Sequence, residues 1–160
     1  MENLKTNLLM LLRGLGQIML QGNAATGLLF VLGIAIHSVR LACAAIVGAA
    51  IGTVWAKICK YPTLSISAGL YGFNSALVAI GVSYFYTDPT LVLGLLLCGS
   101  IFATVIMHLM QRYQLKPYTF PFVFTMWLVF AIFPQQVIDL PVINLDISHI
   151  DAVLQGFGQV

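Results

Sequence analysis

The side chains able to do chemistry in this chain are few, and they are amides and hydroxyls set inside apolar runs. Gln17 stands in LRGLGQI at residues 12–18, Asn74 and Ser75 in GLYGFNSALV, and Thr119 between Pro117 and Pro121 in KPYTFPF. Hydrocarbon gives a stranded amide or hydroxyl nothing to bond, so each needs a partner or a passing solute. Gln17 reads either as an interhelical contact, worth about 0.6 kcal/mol in a folded bundle, or as one acceptor on a path. A Pro in the early turns of a helix frees a carbonyl upstream, and the neighbouring Thr119 hydroxyl either re-bonds it or points into a cavity. Phe73 and Leu77 are four apart and share one helical face, which is a packing stripe or an apolar wall.

Covalent and metal chemistry find no comparable pattern. His37, His108 and His149 are far apart, with no HxxxH or HxxE spacing, and read as interfacial or packing residues. Asp88, before Pro89 in TDPT, reads as a turn residue that bonds its own backbone. Cys43, Cys59 and Cys98 follow no CxxC or CxxxC spacing and are expected to pack as small hydrophobes. The expectation is a protein that is not an enzyme and holds no cofactor or metal.

The elements that position these residues belong in a membrane. Soluble domains are about 45–50% apolar and about 25% charged, whereas this chain of 160 residues is 60% hydrophobic and 8% charged. With a mean hydropathy of +0.98 it has too little polar surface to cover a water-soluble globule. The net charge of +2 comes from basic residues scattered singly or in pairs, with no run that would bind nucleic acid. The N-terminus carries Glu2 and Arg13 and has no clear small-residue cleavage site, so it is expected to stay in the mature protein.

Residues 8–21 are apolar but short, and Arg13, Gly14, Gly16 and Gln17 interrupt them. That is below the roughly 20 residues a helix needs to cross the bilayer, so the segment reads as a re-entrant or half-depth helix facing a pore or a bundle. Five spans are expected to follow, over about 24–38, 41–58, 64–86, 90–111 and 118–135. The first is short and the third is broken by glycine, the pattern in which unwound backbone offers carbonyls and N–H groups to a solute. On this layout Lys5, Arg13, Lys57, Lys60, Arg112 and Lys116 fall on one side and Arg40 alone on the other. The side rich in basic residues is the cytoplasmic one, which puts the N-terminus inside and Val160 outside.

The chain also repeats itself. LQGFGQV at 154–160 matches LRGLGQI at 12–18 in its Leu, both glycines and its Gln, so that Gln159 echoes Gln17. After an odd number of spans the second copy enters the bilayer inverted, an arrangement that builds transport paths around a pseudo-symmetry axis. Residues 1–153 are thus expected to form a first membrane repeat and 154–160 the start of a second, truncated one.

Taken together, RGLGQIML followed by GNAATG, then GLYGFNSAL, then PYTFPF, in this order and at these spacings, resemble the urea transporter (urea channel) family. The resemblance covers almost the whole chain. It implies an all-α membrane protein in which a short pore helix and five spans make one half of an inverted-repeat channel, with complete two-half subunits assembling as homotrimers in the cell (inner or plasma) membrane. It further implies that Gln17 is the pore-helix glutamine, that Leu20 holds a pore-lining position often occupied by Phe, that Phe73 and Leu77 wall a selectivity slot, and that Thr119 is the hydroxyl of the central constriction. Ala24 stands where Pro often follows Asn23, and Ser75 where Gly is common.

Such a pore suits urea on physical grounds. Urea is flat and neutral, with N–H donors along its edges and weakly polar faces. A slot with apolar walls accepts the faces and excludes hydrated ions, while a row of acceptors takes the N–H groups in turn. The expected function is passive permeation of urea across the lipid bilayer. The alternatives are a channel for another small neutral solute or ammonia, or a non-transporting half-protein or assembly subunit.

Overall fold

The structure, a computed structural model, describes residues 2–134, which form helices joined by turns, with no strand among them. Seven helices follow in order among these residues: α1 (Glu2–Gln17), α2 (Ala24–His37), α3 (Val39–Ile58), α4 (Thr63–Ser67), α5 (Gly72–Phe85), α6 (Pro89–Arg112) and α7 (Phe120–Ile132). The second copy of the repeat, Gln159 and His149 lie outside the described residues.

Short polar residues start the helices. Asn23 accepts from the Ala25 N–H at 2.9 Å ahead of α2, and Ser38 accepts from the Leu41 N–H at 3.4 Å ahead of α3. Asp88, expected in a turn, is the N-cap of α6: its carboxylate accepts from the Leu91 N–H at 2.8 Å, and Pro89 follows with φ already set for a helix.

Two helices, Val39–Ile58 with 20 residues and Pro89–Arg112 with 24, are long and apolar enough to cross a membrane. Three shorter apolar helices, α2, α5 and α7, stand at the expected first, third and fifth spans. The expected third span, 64–86, is two helices, α4 and α5, parted by residues 68–71. Gly69 sits in that gap at φ +79°, and its backbone presses on that of Gly14 in α1. A side chain there would both strain the left-handed backbone and strike α1.

The first helix differs from its expected bounds of 8–21. It begins at Glu2 because polar Lys5 and Asn7 are tolerated where the helix end meets other polar groups, and Lys57 Nζ donates to Asn7 Oδ1 at 2.7 Å. It stops at Gln17 because the chain turns there. The Gln21 N–H donates to Gly16 O at 3.1 Å and the Leu20 N–H to Gln17 O at 2.8 Å, the double bond of a Schellman cap with Leu20 in the left-handed position at φ 56°.

The centre of the bundle is α5, which packs on α3, α6, α7 and α1. Its seam with α3 is made of small residues. A methyl group added at Gly48 would lie 2.5 Å from the Ala79 Cβ, and one added at Gly52 would collide with the Ser75 hydroxyl and the Tyr71 carbonyl. Its seam with α6 is a buried hydroxyl ladder in which Ser75 Oγ donates to Thr104 Oγ1 at 2.8 Å and lies 2.9 Å from Ser100 O. Thr104 Oγ1 in turn donates to Ser100 O at 2.8 Å. Small residues let the helices approach, and the hydroxyls satisfy one another without water.

Apolar side chains also cover much of the exterior, with Ile36 89% and Leu29 69% exposed, as expected where lipid is the solvent. Cys43, Cys59 and Cys98 share this outer surface, which corrects the expectation that they pack inside. A thiol is as acceptable to lipid as to a protein core, so apolar sequence surroundings do not tell the two apart.

Candidate functional site

Of the expected site residues, Gln17, Phe73 and Leu77 lie at or beside the beginning of α5. From α1, Gln17 reaches the gap between α4 and α5, where its Nε2 donates to Ala68 O at 3.2 Å. The carbonyl can only accept, so the nitrogen of the amide is the atom turned toward it. Beside it Arg13 Nη1 donates to Ser67 O at 3.3 Å. Two glycines make this reach possible: Gly14 lies against Gly69, and Gly16 against Asn23 and Gly27 at the start of α2. Arg13-Gly14-Leu15-Gly16-Gln17 is thus a run in which the glycines admit two backbones and the polar residues bond the carbonyls of a broken helix. Leu15, between the glycines, is 1% exposed.

Leu20 projects from the turn after α1 and is 71% exposed among the described residues. Phe73, in the first turn of α5, is buried and clusters with Tyr71, Ile66 and Met107. Leu77 is half-buried and packs against the same cluster, together with Ile18 from the turn after α1. Phe73 and Leu77 of α5 therefore do share a face, and Met10 of α1 contributes to it.

Thr119 precedes α7 and is exposed, and its side chain makes no capping bond. It is linked to the rest through Asn74, the residue after Phe73. Asn74 Nδ2 donates to Tyr118 O at 3.0 Å, and Asn74 Oδ1 accepts from the Phe122 N–H at 3.2 Å. Motif reading placed Asn74 in GLYGFN without giving it a partner. A lone amide in an apolar span signals that a partner exists, but this one is backbone 44 residues further on.

At one end of the bundle Tyr61 stacks on His108, with ring centroids 3.7 Å apart and planes at 5°. Tyr71 OH donates to Gln111 Oε1 at 2.9 Å and lies 3.2 Å from His108 Nδ1. Because the phenol proton goes to Gln111, the His108 Nδ1 carries the hydrogen of the second bond. Burial pushes the Tyr61 phenol above its ordinary value, so it stays neutral at physiological pH. The histidine is a packing residue here, and no group of three or more metal-ligating side chains occurs among the described residues.

The ends of the bundle differ in charge. The bond from Lys57 to Asn7 sets the start of α1 beside the end of α3, and the Tyr61–His108 stack brings the end of α6, with Arg112, to the same end. Arg40 marks the other end, where its Nη2 donates to Ser83 O in the last turn of α5 at 2.6 Å. A groove of about 1170 Å³ opens there between α5, α6 and α7, lined by Phe85, Tyr86, Leu91 and Phe133 among others. It includes none of Gln17, Leu20, Phe73, Leu77 or Thr119.

Comparison with known proteins gives these contacts a family context. Urea transporter 1 of Mus musculus is 25% identical over 119 residues, which are 70% of this chain and 31% of the relative. The proteins of the same name from Rattus norvegicus and Ovis aries are each 26% identical, over 119 and 118 residues. The matched stretch thus spans under a third of the length of these curated relatives, at 31% of each. The family model described as urea transporter matches residues 8–160, nearly the entire chain and all the motifs that meet at α5, and the chain belongs to the urea transporter family.

Proposed function

We propose that this membrane protein supplies one half of a passive channel for urea. The observation that carries the reading is the gap in span three at residues 68–71, where helix-end carbonyls lie within an otherwise apolar segment and the Gln17 amide is fixed on one of them by a 3.2 Å bond. Fixing Nε2 leaves Oε1 oriented, and no bond to that oxygen occurs among the described residues. An oriented acceptor beside the Phe73–Leu77 face is what a flat diamide needs: apolar walls for its faces and oxygens for its N–H edges. Thr119, tied to α5 through Asn74, supplies the next oxygen. Passage is a sequence of hydrogen-bond exchanges with no covalent step.

On this reading α1 is the pore helix, entering part-way, and α2, α3, the α4–α5 pair, α6 and α7 are the five spans. The match between 12–18 and 154–160 supports an inverted second repeat facing the first. The complete subunits form homotrimers in the cell (inner or plasma) membrane. The gathering of Lys57 and Arg112 at the end where α1 begins supports a cytoplasmic N-terminus. The likeness over 119 residues to proteins named urea transporter 1 supports the choice of solute.

Stopped-flow swelling of proteoliposomes holding this chain together with a second-half chain, in urea, glycerol and ammonium gradients, tests the proposal. Urea entry well above that of empty liposomes, with little glycerol entry, is the expected result. Preferential ammonia entry would assign the path to that solute, and entry no faster than in empty liposomes would make the chain a non-transporting subunit.

A further inference from the structure

The start of α7 has an unusual arrangement of caps. An N-cap threonine ordinarily accepts a bond from the N–H two or three residues on. At Thr119 neither is available: the second helical residue is Pro121, which has no N–H, and the N–H of the third, Phe122, donates to Asn74 Oδ1 at 3.2 Å. The Phe120 N–H, for its part, donates to Pro117 O at 2.9 Å. The donors of the first turn are therefore satisfied without the Thr119 hydroxyl.

Asn74 holds the other side of the same residue. Its Nδ2 donates to the carbonyl of Tyr118 at 3.0 Å, and Tyr118 is in the left-handed region at φ 43°. One amide thus grips the chain immediately before Thr119 and three residues after it. The two contacts fix the amide's sense, since a carbonyl only accepts and an N–H only donates. Asn74 is itself 0% exposed, whereas Thr119 is exposed and has no side-chain capping bond.

We propose that Asn74 is a positioning residue for the Thr119 hydroxyl: by capping α7 from α5 it frees that hydroxyl from the helix and sets it at a fixed distance from the Phe73–Leu77 face. The inference rests on the reading of Thr119 as a solute-contacting group. It adds that the spacing between slot wall and hydroxyl is set by one side chain bridging two helices, so the specificity of the path depends on a residue that need not touch the solute. Asn74 directly follows Phe73 in sequence, so the wall and the brace share one turn of α5.

Urea permeability of proteoliposomes, and the ratio of urea to glycerol permeability, are measured for Thr119→Val, Asn74→Ala and the double variant. Thr119→Val is expected to lower urea permeability about five- to tenfold, the worth of one hydrogen bond at a narrow point. Asn74→Ala is expected to lower it by a similar factor and to shift the permeability ratio in the same direction, and the double variant to show no further loss beyond twofold. Losses that multiply would reduce Asn74 to a structural residue and overturn the inference while leaving the role of Thr119 intact. An unchanged Thr119→Val would overturn the reading of Thr119 and the inference with it. Where Asn74→Ala does not fold, Asn74→Asp, which keeps the acceptor for Phe122 and loses the donor to Tyr118, carries the same comparison.

Discussion

Gln17 and Ala68 are joined by a hydrogen bond of 3.2 Å that ties the end of the first helix to the gap between α4 and α5. The bond unites the two readings open to Gln17 from sequence. Its nitrogen is an interhelical contact, and its oxygen is held in place by that contact.

Replacing Gln17 with Ala should therefore damage both stability and transport. It leaves the Ala68 carbonyl without its donor, at a cost of about 1–3 kcal/mol. Thermal unfolding in detergent should show a lower midpoint, and urea uptake into proteoliposomes should fall with it. A lower midpoint with full uptake per folded protein would leave Gln17 as a packing residue only.

Leu20 is in the left-handed region at φ 56°, where a side chain costs about 1–2 kcal/mol. Leu20→Gly should remove that strain and raise the unfolding midpoint, because little apolar contact is lost from a residue 71% exposed among the described residues. If the side chain lines the path, the same change should admit larger neutral solutes such as glycerol. A more stable protein with unchanged selectivity would remove Leu20 from the slot.

Leu77 is half-buried and packs on the cluster that holds Phe73, and a larger ring at that position should obstruct the proposed solute path. Leu77→Trp is expected to abolish urea uptake while leaving the elution position in size-exclusion chromatography unchanged. Normal uptake by a normally assembled variant would return both residues to packing.

Cys59 is exposed and next to the basic residues Lys57 and Lys60, so it can report sidedness without an added tag. With Cys43 and Cys98 replaced by Ser, a membrane-impermeant thiol reagent should label Cys59 in inside-out vesicles and not in intact cells. Labelling from the outside would reverse the assigned orientation.

Much of the fold is legible in the sequence because hydropathy and punctuation act locally. The apolar runs, Asp88-Pro89 and the glycines of GLYG mark where helices lie and where one is interrupted. The polar first turns of α1 escape such a reading, since nothing near Asn7 in sequence shows that Lys57 will meet it. Asn74 is the sharper case. Its need for a partner follows from its surroundings, but the partner is backbone 44 residues away, and backbone carries no residue-specific signal. The cysteines fail for a different reason: when lipid is the solvent, apolar neighbours no longer mean interior.

The bonds from α1 to the gap in span three also constrain how the chain is made. Arg13 and Ser67 are 54 residues apart, and Gln17 and Ala68 are 51. At about 5–20 residues per second of translation, the first helix leaves the ribosome about 3–10 s before the carbonyls that will receive its guanidinium and amide. Throughout that interval the Arg13 guanidinium and the Gln17 amide lack these two acceptors, although α2 and α3, on which α1 also packs, have already emerged. The docking of α1 on the gap before α5 is then a late event in biogenesis, timed by the emergence of Ser67 and Ala68.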